Sequence, residues 1–97
     1  MSKKIDDKIN AITEFLKSQG AKRILLFGSR ARGDETSRSD IDIAVDLPAT
    51  FSKKREIKEV VDSLAGLHKV DLVFIEEANE EILQTIEKEG VVLYERE

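Results

Sequence analysis

Apolar residues recur at helical spacing in three stretches of the chain. The first has acidic residues in its first turn and runs into Gly20 as a natural end, which predicts a packing helix. In the second, we expect Ser52 to cap the helix and Gly66 to end it. The third spans residues 78–89. The predicted inward stripes are Ile5, Ile9, Ile12 and Leu16 in the first helix, Ile57, Val60, Val61 and Leu64 in the second, and Ile82 and Ile86 in the third.

Strands are predicted at four places. The apolar runs at residues 23–27, 70–75 and 91–94 are too short for helices and favour strands. Residues 40–47 instead alternate acidic and aliphatic side chains, which is the period of a strand with two different faces. One face packs, and the other meets water or carries chemistry. The first face holds Ile41, Ile43, Val45 and Leu47, and the second holds Asp40, Asp42, Ala44 and Asp46.

The alternation of helices and strands predicts one α/β domain over residues 1–97, with helices mainly on one face of the sheet. Residues 28–33 can form a single helical turn between two glycines, and the polar run at residues 34–39 predicts a loop. The order of the strands in the sheet does not follow from these patterns.

Composition narrows the function. The chain has 97 residues and a net charge of -4. Broad, charge-driven binding of nucleic acid is therefore disfavoured, because it needs a basic face. No apolar run approaches the roughly 18 residues that a membrane span needs, and the N-terminus does not resemble a secretory signal. The absence of cysteine fits a reducing compartment. We therefore expect a cytoplasmic protein.

A Gly-Ser pair lies between a predicted buried strand and a predicted helical turn. At Gly28 a phosphate could approach the backbone closely, and Ser29 adds a hydroxyl donor beside the free N–H groups of the turn. The same pair also suits an ordinary turn with a capping serine. Both interpretations stay open on these two residues alone.

Three acidic residues form the second candidate feature. Asp40 and Asp42 are two apart on a strand, with Cα atoms about 6.5 Å apart, so their carboxylates can converge on one side. Asp71 lies inside an aliphatic strand, and it can reach the same point if the two strands are neighbours. Carboxylate oxygens of this kind select magnesium or manganese. The alternative is that these are solvated acids on exposed strand positions.

The two features together resemble a known signature. Residues 26–33, LFGSRARG, followed by residues 39–43, SDIDI, are similar to the motif of the DNA polymerase beta-like nucleotidyltransferases, and most similar to the minimal, MntA-like members. With Asp71 as the expected later acid, the resemblance covers residues 24–75. It implies a mixed sheet with a polymerase beta palm-like core. It also implies transfer of AMP from ATP to a hydroxyl, in many members a tyrosine of a helical HEPN-type toxin partner, so that the protein acts as an antitoxin.

The resemblance assigns a role to each residue of the site. Asp40 and Asp42 would bind two magnesium ions, and Asp71 would bind the catalytic ion and orient or deprotonate the acceptor hydroxyl. Gly28 and Ser29 would hold the triphosphate. Arg30 is expected to donate to a β or γ phosphate ahead of Arg32, since the two cannot point the same way on one short turn. Arg38 is expected at the surface.

Other polar and aromatic residues are expected to have ordinary roles. The basic run Lys53-Lys54-Arg55 with Lys58 predicts a solvated helix face. His68 is expected in an exposed loop, and Phe74 and Tyr94 are expected to pack.

Three functions remain as alternatives. The first is the enzyme just described. The second is a non-catalytic antitoxin or binding module of the same fold, which neutralises its partner by complex formation. The third is transfer to a small molecule such as an aminoglycoside or to an RNA end, which usually requires an additional domain or a dimer to hold the acceptor. The sequence leaves the nucleotide, the acceptor, the number of transfers and the oligomeric state open.

Overall fold

The computed structural model describes residues 3–33 and 40–96. The predicted loop at residues 34–39, which includes Arg38, lies outside the described residues, as does the side chain of Ile5. The elements, in chain order, are α1 (Lys3–Ser18), β1 (Arg23–Phe27), α2 (Ser29–Arg32), β2 (Ile41–Asp46), α3 (Phe51–Ala65), β3 (Val70–Phe74), a 3₁₀ turn (Ile75–Glu77), α4 (Glu80–Glu89) and β4 (Val91–Glu95).

The four strands form one mixed sheet in the order β3-β2-β1-β4. β2 and β3 are parallel, whereas β1 runs antiparallel to both β2 and β4. The mixed sheet expected from the family resemblance is therefore confirmed. As a result, the C-terminal end of β1 and the N-terminal ends of β2 and β3 lie together at one end of the sheet.

The main core lies on one face of the sheet, under α1 and α3. Ile12 and Leu16 of α1 and Ile57 of α3 are buried against the aliphatic face of β2, where Ile41 and Ile43 have no exposed surface. Phe74 is buried in this core and Tyr94 packs at its margin, as predicted. The alternation along β2 thus divides a packing face from a polar face in the way the sequence indicates.

A smaller core lies on the opposite face, which also carries the acidic residues of β2. Ile86 of α4 packs there against Leu25 and Ala44, with Ile82 at its edge. The helices are therefore mainly on one face, with α4 alone among the described helices seated on the other. In this way α4 becomes a neighbour of the polar face.

Helix α3 differs from its prediction in its first residue and in the set of side chains that face the core. It begins at Phe51, and Thr50 rather than Ser52 is the N-cap, with its hydroxyl accepting from the Lys53 amide at 3.2 Å. Val60 and Leu64 were predicted to face inward but are 38% and 36% exposed. The buried stripe is narrower because α3 presents Ile57 and Val61 to the sheet and turns these two side chains to its flank.

Lys54 was predicted on a solvated helix face, and that prediction was wrong. Only 8% of the residue is exposed. Its ammonium bridges Glu76 and Glu77 of the 3₁₀ turn and lies 5.3 Å from the centre of the Phe74 ring. The position falls three residues before Ile57, on the inner side of α3, so the helical period places its aliphatic stem inward while two carboxylates receive its charge.

The described helices include none that is both long and apolar enough to cross a lipid bilayer.

Candidate active site

The three predicted acids lie at the end of the sheet where β1 finishes and β2 and β3 begin. Asp42 is paired across the ladder with Phe27 on one side and with Asp71 on the other. Residues paired directly across neighbouring strands share a face at a spacing of about 4.8 Å, and Asp40 shares that face because it is two residues before Asp42. Asp71 is exposed, whereas Asp40 and Asp42 are partly buried. The neighbouring strands that the sequence argument required are therefore present.

The acids disturb one another electrostatically. Burial raises the pKa of the Asp42 carboxyl above its usual 3.8, and the charges of Asp71 and then Asp40 raise it further. Arg32 and Arg30 oppose this shift in pKa but do not cancel it. Like charges at this spacing favour the protonated form of Asp42, so a cation bound beside the three carboxylates would stabilise the ionised form.

The acids are neighbours without forming a closed set of ligands. Asp40 Oδ2 lies 3.9 Å from Lys69 Nζ, at the edge of ion-pair distance. Within residues 3–33 and 40–96, no three acidic or imidazole side chains converge as a ready-made metal cage. A divalent ion at this point would therefore draw part of its coordination from a bound molecule or from water.

The Gly28 turn lies directly against Asp42. Gly28 has φ +78° and ψ -157°, in a region that residues with a side chain rarely adopt. A Cβ built at this position would overlap Asp42 Oδ2. Two separate requirements, backbone conformation and close approach, thus call for glycine here. The Asp42 carboxylate occupies the space that a side chain at position 28 would fill.

Helix α2 is a single turn that follows Gly28. The amides of Ala31 and Arg32 both donate to the Gly28 carbonyl at 3.1 Å, and Gly33 ends the turn in the left-handed conformation with φ +83°. Ser29, the first helical residue, is partly buried beside the acids. The predicted glycine-bounded turn is therefore present at the same end of the sheet as the three carboxylates.

The two arginines of α2 differ in exposure. Arg30, which was expected to donate to a phosphate ahead of Arg32, is only 5% exposed, and its charge acts on both Asp42 and His68. Arg32 is exposed, and its Nη1 donates to Glu89 Oε2 at 2.9 Å. Arg32 is therefore the more accessible of the two at the open side of the site. The Glu89 contact was missed from the sequence because its two members are 57 residues apart and belong to no shared pattern.

His68 was predicted to be an exposed loop residue, but it is partly buried and tied to α1. Lys8 Nζ lies 2.9 Å from His68 Nδ1, and the ammonium is the donor. Burial lowers the pKa of His68 below 6.5, and the charges of Lys8 and Arg30 lower it further. This contact fixes the loop that leads into β3 and Asp71. Sequence periodicity could not predict this contact, because Lys8 and His68 lie 60 residues apart in the chain.

A cavity of about 650 Å³ lies between α4 and strands β1 and β4, and Leu25, Ile86 and Val92 are among the residues that line it. None of the three acids contributes to its walls. The candidate site is therefore marked by its charged groups and the glycine turn and not by this cavity.

Comparison with known proteins agrees with this geometry. A profile of the family described as "Polymerase beta, Nucleotidyltransferase" matches residues 10–97. Protein adenylyltransferase MntA of Thermococcus cleftensis is 38% identical over 74 residues, which are 74% of this chain and 74% of that protein. The chain spans only about half the length of two curated relatives from Methanocaldococcus jannaschii, 55% of one and 54% of the other, with which it shares 46% and 44% identity.

Two solved structures extend the likeness to the backbone. A toxin-antitoxin crystal structure with AMP-PNP superposes with a TM-score of 0.74 and 28% identity, over 94% of this chain and 73% of that one. A complex of tri-AMPylated HEPN toxin with MNT antitoxin from Shewanella oneidensis gives 0.72 and 26%, over 93% and 71%. The shared fold, the placement of the acids beside the glycine turn and the match over residues 10–97 lead to one conclusion. This chain belongs to the polymerase beta nucleotidyltransferase family.

Proposed function

We propose that this protein transfers AMP from ATP to a hydroxyl group of a protein partner in a magnesium-dependent reaction. The observation that carries the proposal is the position of Asp42, which lies between the Gly28 turn and Asp71 at one end of the sheet. That arrangement brings a place for phosphates and a group of carboxylates into direct contact. Both are needed for nucleotidyl transfer.

The donor groups fit divalent cations. Asp40, Asp42 and Asp71 offer hard carboxylate oxygens, which magnesium prefers. Burial raises the pKa of Asp42, and repulsion from Asp71 and Asp40 raises it further; a bound cation would relieve that repulsion. In this proposal Asp40 and Asp42 hold two ions and Asp71 contributes to one of them. When bound, magnesium would neutralise the phosphates and stabilise the charge that develops on the attacking and leaving oxygens.

The chain's own residues perform the remaining steps. In this proposal the Gly28 backbone and the Ser29 hydroxyl receive the triphosphate, and the close contact of Gly28 with Asp42 would hold the phosphates beside the acids. Asp71 is exposed at the sheet edge, where it can orient an incoming hydroxyl and accept its proton. The hydroxyl oxygen forms a bond to the α phosphorus as the bond to pyrophosphate breaks. Arg32 is proposed to donate to the leaving phosphates in place of Arg30, which ranked first on sequence, because Arg30 is only 5% exposed whereas Arg32 is exposed.

The partner is proposed from the relatives. Two of the solved neighbours are toxin-antitoxin assemblies, and in one of them the HEPN toxin carries AMP groups. We infer a HEPN-type helical protein as the acceptor, with a tyrosine hydroxyl as the attacking group. The protein would then act as an antitoxin in the cytoplasm, where ATP is supplied.

A transfer assay tests this function. The protein is incubated with each labelled nucleoside triphosphate, magnesium and the product of the neighbouring gene as the candidate HEPN-type partner. We expect labelling of that partner from ATP, a gain in its mass equal to one or more AMP groups, and loss of both when magnesium is removed or in Asp42→Asn. Asp46→Asn is the matched control, because Asp46 lies on the same strand and face but at the far end, opposite Arg23.

The assay also separates the competing functions. Inhibition of the partner that survives both Asp42→Asn and magnesium removal, with an unmodified partner in the complex, would indicate a binding module. Label appearing on an aminoglycoside or an RNA end, with none on the protein, would indicate a different acceptor class.

A further inference from the structure

We propose that Glu89, the last residue of α4, is a positioning residue that holds Arg32 in place to receive the triphosphate. The inference rests on the proposed function and adds a residue that lies outside the glycine turn and the acidic cluster. It is carried by the contact between Arg32 and Glu89, by the packing of α4 and by the position of Glu89 on its helix.

The contact joins two elements that are far apart in sequence. Arg32 Nη1 lies 2.9 Å from Glu89 Oε2, with good hydrogen-bond geometry between opposite charges. The side chain of Glu89 is 23% exposed and that of Arg32 is 45% exposed. The carboxylate is therefore the more enclosed member, and the guanidinium is the member that faces the open side of the site.

Helix α4 gives Glu89 a fixed position. Ile86, three residues earlier, is buried against Leu25 and Ala44 on the sheet face that carries the acids. Residues three apart lie on neighbouring positions of a helix surface, so the packing of Ile86 fixes where Glu89 emerges. The carboxylate therefore reaches Arg32 from a rigid support.

Glu89 is poorly placed for the stability of its own helix. The C-terminal end of a helix carries partial negative charge on its last carbonyl groups, so an acid there is unfavourable, whereas Glu80 and Glu81 suit the first turn. The Arg32 guanidinium compensates Glu89 from outside the helix. Glu89 is thus unfavourable for its own helix and is paired with the distant Arg32. This points to a role for Glu89 in holding Arg32.

The consequence for nucleotide binding follows from the geometry of arginine. A guanidinium carries five N–H donors in a planar fork, so one arginine can hold a carboxylate and a phosphate at once. Arg32 also lowers the pKa of Asp42, which places its charge within electrostatic reach of the acids. Because Glu89 already restrains the Arg32 side chain, Arg32 loses less conformational entropy when the triphosphate binds.

The test compares Glu89→Gln with the unaltered protein by binding of AMP-PNP with magnesium and by steady-state kinetics of the transfer. We expect the Kd for AMP-PNP and the KM for ATP to rise about three- to tenfold, in the lower part of the range for two coupled side chains, with little change in kcat. Glu87→Gln is the matched control, since Glu87 is an exposed acid in the same turn. The unfolding midpoint of Glu89→Gln should change little, because loss of the ion pair with Arg32 is offset by removal of an unfavourable charge at the helix end.

The same substitution made in an Arg32→Ala protein shows whether Glu89 acts through Arg32. In Arg32→Ala, the further change Glu89→Gln should leave the Kd for AMP-PNP unchanged. An unaltered or tighter Kd in the single variant, or an equal loss in both backgrounds, would overturn the role of Glu89 while the proposed function stood. If the unaltered protein failed to bind AMP-PNP with magnesium, the proposed function and this inference would both be wrong.

Discussion

At the scale of single residues, the site depends on the pairing of Gly28 with Asp42. The glycine is required by its positive φ and by the carboxylate oxygen that occupies the space of a Cβ. The aspartate is required, in the proposed function, as a ligand. The identity of each residue thus restricts which residue can occupy the other position. This explains why a Gly-Ser turn and an Asp-x-Asp strand occur together, although either motif alone is common.

The charge of Asp42 should reduce stability in the metal-free protein. Because burial, Asp71 and Asp40 raise its pKa above 3.8 in the folded state, the folded protein binds this proton more tightly than the unfolded chain. The resulting stabilisation is full below pH 3.8 and is lost as pH rises through the raised pKa. At neutral pH the ionised carboxylate therefore opposes folding.

We predict that Asp42→Asn raises the unfolding midpoint at neutral pH without magnesium, while it abolishes transfer. A gain of a few degrees is expected, since 1 kcal/mol moves the midpoint of a domain of this size by about 4–8 °C. The gain should shrink on acidification and vanish below pH 3.8, where the wild-type carboxyl is protonated in both states. Thermal unfolding by circular dichroism across this pH range measures it.

Asp46→Asn serves as the control for this measurement. Asp46 pairs across the sheet with Arg23, away from the acidic cluster, so removing its charge should not raise the midpoint. An Asp42→Asn protein that is less stable than wild type at neutral pH would contradict the account of the cluster as mutually repelling.

At the scale of elements, the boundaries of α3 show the limit of reading caps from sequence. Both Thr50 and Ser52 are common cap residues, and both follow Pro48, which ends the preceding strand. The structure selects Thr50, whose backbone is extended and whose hydroxyl accepts from the Lys53 amide. The choice depends on where the chain leaves β2, which local composition does not encode.

We predict that Thr50→Ala lowers the free energy of unfolding by about 0.5–2 kcal/mol through loss of the cap. Ser52→Ala should change it by less than about 0.5 kcal/mol, since Ser52 is an exposed residue inside the helix. Chemical denaturation of both variants provides the comparison. A larger loss for Ser52→Ala than for Thr50→Ala would contradict the observed start of α3.

Elements also determine which charged residues become buried. Lys54 was predicted as solvated because a run of basic residues usually is, yet α3 turns it inward toward Glu76 and Glu77. His68 was predicted as exposed, yet Lys8 of α1 meets it. In both cases the partner comes from an element that is distant in sequence, so periodicity within one segment contains no information about it.

At the scale of the whole molecule, the kinds of element could be predicted from the sequence, but the order of the strands could not. Alternation along β2 separated its two faces correctly, because burial follows the period of the strand. Whether Asp71 could reach Asp42 depended on β3 lying beside β2, and only the sheet order established it. The position of α4 beside the acids likewise could not be predicted from the sequence, because an amphipathic helix can pack on either face of a sheet.

The most direct test of the central claim is a crystal structure of the protein with magnesium and AMP-PNP. We predict oxygen ligands at about 2.0–2.1 Å from Asp40 and Asp42 to a bound ion, Asp71 directed to the same ion, and the triphosphate against the Gly28 turn. A nucleotide bound elsewhere on the molecule, or an Asp71 carboxylate turned away from the ion, would contradict the account.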